Sequence, residues 1–219
     1  MGKEIDLLNK YPKANRNFEE RANSKTLEER SIARLFGKEF FDGNRRHGYG
    51  GYNYHPKYWS EVVPDFKRHW QLNSKSSLLD VGCGKGFMLY DFQRLVKGIS
   101  VKGIDISSYA IENCHNEMGE FLQVGNANNL EFKNNEFDYI ISINTIHNLE
   151  LDECRKAIKE ISRVSNKGSF ITVDAYRNSE EKKRMYDWNL TAKTILSVDE
   201  WKKLFKELKY NGDYYWFIP

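Results

Sequence analysis

The sequence predicts an α/β protein, an open and mostly parallel sheet with helices on both faces, joined to an N-terminal helical and loop extension. Three observations carry this. From Ser77 onward, apolar runs of strand length alternate with amphipathic stretches of helix length, the rhythm of repeated βαβ units. The turn "DVGCGKG" falls at the first strand-to-helix junction, where open α/β sheets dock ligands. Residues 1 to about 72 are polar, charged and aromatic and show no strand period. A chain of 219 residues can bury one sizeable core and a little more, so the expected division is an extension over 1–72 and one domain over 73–219.

The elements follow in order. "SKTLEERSIARLFGKEFF" has helical patches, and "DGNRRHGYGGYNYHP" is a Gly/Tyr-rich loop. "SLLDV" is the first strand and "FMLYDFQRLV" the first helix of the alternating region. "VKGIDI" and "SYAIENCHNEM" repeat the pair, "FLQVG" is a third strand, and "FDYIISIN" leads into the helix "LDECRKAIKEISRV". Lys167-Gly168 reads as the stop of that helix before the strand "GSFITVDAY". Ser197, with Glu200 three residues on, predicts a capping box opening the helix "SVDEWKKLFKEL", and "GDYYWFIP" is a last strand.

Composition narrows the partners. There are 34 basic and 31 acidic residues, a formal charge of +3, too balanced to argue for nucleic acid by itself. Cys83, Cys114 and Cys154 are odd in number and lack CxxC spacing, which predicts reduced thiols in a cytoplasmic protein with no disulfide frame and no metal site. No stretch reaches the roughly 18 apolar residues of a membrane span, so no membrane partner is expected. Met-Gly opens the chain, but Asp6 stands where N-myristoylation wants Ser or Thr.

Gly82, Gly84 and Gly86 let backbone N–H groups approach a ligand closely. The dinucleotide fingerprint GxGxxG would want glycine at position 87, which is Phe87. Asp80 is also an odd neighbour for a pyrophosphate and suits a ligand with a cationic ammonium or sulfonium. Asp105 ends the second strand, where a carboxylate can accept both hydroxyls of a ribose.

"LLDVGCGKG", "GIDIS", "GNANNLEFKNNEFDYIISINTIHNL" and "ISRVSNKGSFITVD" resemble, in order and spacing, the motifs of class I S-adenosylmethionine-dependent methyltransferases. The resemblance covers residues 77 to about 175 and implies a Rossmann-like fold, with S-adenosylmethionine as cofactor and S-adenosylhomocysteine as product. It implies that Gly82, Cys83, Gly84 and Gly86 line the methionine part, with Asp80 acting on the amino group. It further implies Asp105 at the ribose, Ile106 on the adenine, and Asn126 and Ala127 at the adenine edge. "GNA" departs from the usual "GDA", and the Asn126 amide oxygen keeps only the acceptor role. Asn144 would approach the methionine part or the substrate.

His147, in "TIHNL", matches the first histidine of a pattern in small-molecule relatives and is either a general base or a packed residue beneath the site. His47, Tyr49, Tyr52 and Tyr54 make "HGYGGYNYHPKYW" an aromatic outlier that either covers the cofactor and lines the acceptor pocket, with Tyr49 a second catalytic candidate, or simply straps the core. The "GKEFFDG" and "GYGGY" segment suggests a bacterial subgroup. Thr145 and Ile146 replace the prolines of the element used on amino groups of DNA bases or glutamine, and there is no Pro-Cys pair for cytosine-C5 chemistry. The leading expectation is O- or N-methylation of a small-molecule acceptor, a sugar or nucleotide-linked metabolite. An RNA or protein methyltransferase is the alternative, since "NRRHGYGGYNY" mixes basic and stacking residues. A non-catalytic methyltransferase-like subunit is the third. Nothing in the sequence indicates an oligomeric state.

Overall fold

The computed structural model describes residues 2–12 and 26–218. Three short helices lie in the extension: α1 (Leu27–Ala33), α2 (Lys38–Phe41) and α3 (Val63–Trp70). The alternating region follows as β1 (Ser77–Val81), α4 (Phe87–Leu95), β2 (Ser100–Asp105), α5 (Ser108–Glu112), β3 (Leu122–Val124), β4 (Phe137–Ile143), α6 (Leu151–Val164) and β5 (Ser165–Tyr176). The chain then forms α7 (Ser179–Trp188), β6 (Leu196–Ser197), α8 (Val198–Glu207) and β7 (Asp213–Phe217).

The seven strands make one sheet in the order β3-β2-β1-β4-β5-β6, with β7 also beside β5, and every pairing among these strands is parallel. β1 is flanked by β2 and β4, so the connections diverge at its carboxyl end and open a crevice there. The side-chain period of two sends neighbours to opposite faces. Leu79 and Ile140 pack with Ile158, Ile161 and Trp201, while Leu78 and Ile141 pack with Phe66, Phe92 and Phe170.

The extension joins this core. Phe66 of α3 meets Phe92 and Phe170 edge-on, with ring centroids 5.9 and 5.2 Å away. Near the start of the chain, Ile5 N–H donates to the Tyr214 carbonyl and Tyr214 N–H to Lys3, which covers the outer edge of β7.

Two expectations are corrected. α6 stops at Val164, and Lys167-Gly168 belongs to β5, where the pairing with β4 jumps from Phe137/Ser165 to Tyr139/Gly168. The glycine marks a strand irregularity rather than a helix stop. The helix after β2 ends at Glu112, well short of Met118, because His115 is held by the Lys85 carbonyl and stacks on Tyr90 at 3.9 Å. α7 and β6 are additions that the sequence pattern did not show. The capping box of Ser197 and Glu200 forms as predicted.

Candidate functional site

The glycine turn leaves β1 at the crevice. Gly82 and Cys83 N–H groups donate to the Ile104 carbonyl at 2.8 and 3.0 Å, tying the turn to β2. Gly82 has φ +88°, and a Cβ there would lie 2.1 Å from Thr145 Oγ1, so the loop after β4 packs directly on a bare backbone. At Gly84, φ +54°, a Cβ would instead meet the rings of Tyr52 and Phe41.

The two acidic residues converge at the strand ends. Asp105 accepts Gly84 N–H on Oδ2 at 2.7 Å and Ser107 N–H on Oδ1 at 2.9 Å. Burial raises its pKa, against the lowering effect of those N–H groups. Asp80 is buried, and burial first, then the Asp105 charge, push its carboxyl up to about 8. Asp80 is in no ion pair among the described residues. A buried carboxylate in that state gains from a cationic ligand. The neighbouring Cys83 thiol is pushed well up by burial, so it is a packed group and not a nucleophile.

Beyond Asp105, Ile106 and Val124 are 55% and 52% exposed, an apolar platform beside a cleft of about 110 Å³ lined by Ile104, Gly125, Asn126 and Phe132 among others. Asn126 is exposed, its Oδ1 accepting Asn128 N–H at 3.1 Å, and Ala127 packs on the core below. Asn144 turns the chain at φ +51°, with its N–H on the Thr172 carbonyl and its Oδ1 taking the Thr172 hydroxyl.

The aromatic segment lies over the turn. Tyr52 packs on Phe87 at 4.9 Å and on Tyr49 at 4.2 Å. Tyr49 is 42% exposed, and desolvation first, then the Asp105 charge, push its pKa up to about 12. Tyr54 instead donates to Asp91 Oδ1 on α4 at 3.0 Å, and His47 pairs with Glu39 of α2. His147 is buried: its Nδ1 accepts Asp174 N–H at 3.0 Å, and its Nε2 is 3.7 Å from Asp174 Oδ2. The structure therefore gathers Tyr49 and Tyr52 at the turn and directs Tyr54, His47 and His147 to partners elsewhere.

Sequence reasoning missed the anchor of this cover. Lys85, buried inside the glycine turn, donates to Asp42 Oδ2 at 2.7 Å; Tyr109 donates to the same oxygen and Tyr52 N–H to the other. A lysine within an otherwise buried loop was the available signal. It also missed a second cleft of about 290 Å³, lined by Arg30 of α1 and Arg34 just past its end, by Glu150, and by Tyr186, Asn189, Ala192, Lys193 and Ile195. That cleft adjoins the loop after β4, because Lys193 and Thr194 N–H groups donate to the His147 carbonyl.

Among the described residues no helix is long and apolar enough to cross a membrane, and no cluster of His, Cys, Asp and Glu could hold a metal ion.

Residues 72–212 match a protein family described as a methyltransferase domain. Among curated proteins, the chain is 34% identical over 134 residues to an Arabidopsis thaliana tRNA (carboxymethyluridine(34)-5-O)-methyltransferase, covering 59% of this chain and 31% of that protein. It is 30% identical over 127 residues to the mouse "Probable tRNA methyltransferase 9B", covering 57% and 27%. The chain thus spans about a third or less of the length of these relatives. Among solved structures, the YcgJ protein from Bacillus subtilis superposes with a TM-score of 0.55 at 20% identity, covering 67% of this chain and 66% of that one. The MccD protein gives 0.55 at 24%, covering 71% and 72%. Both likenesses are of fold.

Proposed function

The chain belongs to the methyltransferase domain family and has the Rossmann-like fold of class I S-adenosylmethionine-dependent methyltransferases, and on that premise we propose that it methylates a nucleotide in RNA. S-adenosylmethionine supplies a methyl group already activated on a sulfonium. The described residues fit such a cofactor. Asp80, buried with no cation partner, suits its ammonium; Asp105 suits the ribose; and the platform of Ile106 and Val124 with the cleft at Asn126 suits a purine ring.

For the transfer itself the protein's part is alignment. The Gly82 turn, held on Thr145, and the loop from Asn144 to His147 bring donor and acceptor sides of the crevice together. Tyr52 and Phe41 over the turn exclude water from a displacement that depends on geometry.

The acceptor reading rests on one observation: the curated relatives reported above carry tRNA methyltransferase names. This reverses the order of the expectations from sequence, in which a small molecule led. A small-molecule acceptor remains the second reading, favoured by a cleft of about 290 Å³, close to the roughly 300 Å³ lower end of small-ligand sites. The test is methyl transfer from labelled S-adenosylmethionine to deproteinised total RNA and, separately, to a small-metabolite extract. Label in RNA supports the first reading. Label only in the metabolite extract overturns it for the second.

A further inference from the structure

The larger cleft is lined by two guanidiniums that have no carboxylate in ion-pair contact among the described residues. Arg30 Nη1 and Nη2 donate to the Asn189 and Tyr186 carbonyls; Arg34 Nε and Nη2 donate to Thr191 and Ala192. All four acceptors are neutral backbone oxygens, and among the described residues neither guanidinium is in an ion pair. Burial first, then the like charge of Arg34, lower the pKa of Arg30, with Asp187 opposing from further off. Lys193 adds a third cation, held by Glu150 at 3.4 Å. Two guanidiniums and an ammonium thus face one carboxylate around the cavity.

Asn189 forms part of the wall of this cleft. It is buried at 4% exposure. Its Nδ2 donates to Asp174 Oδ2 at 3.0 Å, which fixes the amide, and its Oδ1 has no hydrogen-bond partner.

We propose that this cleft is a phosphate-ester subsite, in which Arg30, Arg34 and Lys193 hold the phosphate. Guanidinium forks match the oxygens of a phosphate, and the excess of cations is neutralised by it. Because Lys193 and Thr194 N–H groups are fixed to the His147 carbonyl, a group seated here abuts the loop that borders the Gly82 turn. The inference deepens the RNA reading and rests on it for the position of the acceptor. The phosphate itself has two sources, a phosphodiester in RNA or a free nucleotide.

The test titrates the full chain with uridine 5′-monophosphate, uridine and a short single-stranded RNA, and with S-adenosylhomocysteine as a separate control for the cofactor site. The expected result is at least tenfold tighter binding of the monophosphate or of the RNA than of uridine. That preference is expected to be lost in the Arg30→Gln/Arg34→Gln double variant, with S-adenosylhomocysteine affinity within about twofold. Because the two arginines also hold the backbone of residues 186–192, Lys193→Gln is the second variant. The side chain loses only a surface ion pair with Glu150, so the thermal midpoint should shift little while the phosphate preference falls at least fivefold. A preference for RNA alone assigns the phosphate to a polymer; a preference for both admits the free nucleotide. Binding of uridine and its monophosphate with equal affinity, binding unaltered in both variants, or no binding of any phosphate-bearing ligand overturns the subsite. Failure to bind S-adenosylhomocysteine would instead sink the methyltransferase reading, leaving the phosphate result to stand or fall by itself.

Discussion

Lys85 Nζ lies 2.7 Å from Asp42 Oδ2, a bond between the glycine turn and the segment that covers it. Burial works to raise the Asp42 pKa, but Lys85, Tyr52 N–H and the Tyr109 hydroxyl outweigh it and hold the carboxylate below its usual range. The cover is therefore latched by the same turn whose glycines face the crevice.

Loosening the latch is expected to release the cover without unfolding the domain. A hydrogen bond to a charged group contributes about 1.5–3 kcal/mol, and about 1.4 kcal/mol is tenfold in an equilibrium. Asp42→Asn should raise the rate of protease cleavage near Gly50 by about tenfold, and S-adenosylhomocysteine should slow cleavage of both proteins. Because the folded pKa of Asp42 is depressed, its contribution is present above the unfolded value near 3.8 and is lost as the pH falls through the folded value. Unchanged cleavage in Asp42→Asn would show that the aromatic segment is a packing strap held by its rings alone.

Asp80 predicts a pH dependence of cofactor binding. Its pKa of about 8 is far above the usual 3.8, so the folded protein holds a proton that the unfolded chain has lost. Between those values the stability of the free protein should decline as pH rises. An ammonium seated at Asp80 favours the carboxylate, so binding must expel that proton below pH 8. The affinity for S-adenosylhomocysteine should then tighten from pH 6 to pH 8, with proton release visible by calorimetry in buffers of different ionisation enthalpy. Asp80→Asn should flatten the profile. A wild-type profile as flat as that of the variant would remove the ammonium from Asp80.

On the proposed reading Asp105 has two tasks, bracing the turn and holding the ribose. Its oxygens already take Gly84 and Ser107 N–H groups, and a carboxylate has lone pairs left for a ribose. Asp105→Ala should weaken cofactor binding by a few kcal/mol at most, and should also lower the thermal midpoint by orphaning two N–H groups. Asp105→Asn should preserve more of the stability than of the affinity. Loss of stability with cofactor affinity intact would make Asp105 a structural brace only.

How far such features can be read from a sequence depends on their range along the chain. Asp80, the three glycines and Asp105 end or follow adjacent strands, so local pattern and spacing bring them together. β1 to β5 were legible for the same reason, each being an apolar run bounded by turn residues. Lys167-Gly168 misled because a glycine inside a strand irregularity has the same local signature as a helix stop. The latch and the basic cleft were illegible, since Lys85 meets Asp42 across 43 residues and Arg30 meets Asn189 across 159. No periodicity encodes such contacts, and the balanced net charge hid a cleft in which the cations are gathered on one side.

Gly82 is predicted to be the least replaceable residue of the turn. At φ +88° a side chain is strained, and its Cβ would overlap Thr145 Oγ1 at 2.1 Å. Overpacking of this kind costs about 1–3 kcal/mol, so Gly82→Ala should lower the unfolding free energy from urea melts by about that much or more. Thr145→Gly should recover part of the loss in the double variant. If the two changes are strictly additive, the contact between the turn and the β4 loop is not what requires the glycine.

His147 separates the two roles left open by the sequence. Burial first lowers its pKa below 6.5, with Asp174 opposing, and its Nδ1 already accepts the Asp174 N–H. The unfolded chain therefore takes up a proton below about pH 6.5 that the folded chain resists, and stability should fall as the pH drops from 7 to 5. In His147→Gln that fall should be shallower, while at pH 7 the variant should be less stable by about 1–3 kcal/mol for the lost buried hydrogen bond. A general base in contact with the acceptor would make its removal cost about 100- to 10,000-fold in kcat. A packed residue held on Asp174 should cost less than tenfold and leave the acid limb of the kcat profile in place. Urea melts at pH 5, 6 and 7, set beside kcat over the same range once an acceptor is in hand, decide between them. A collapse of kcat with stability unchanged would make His147 the base.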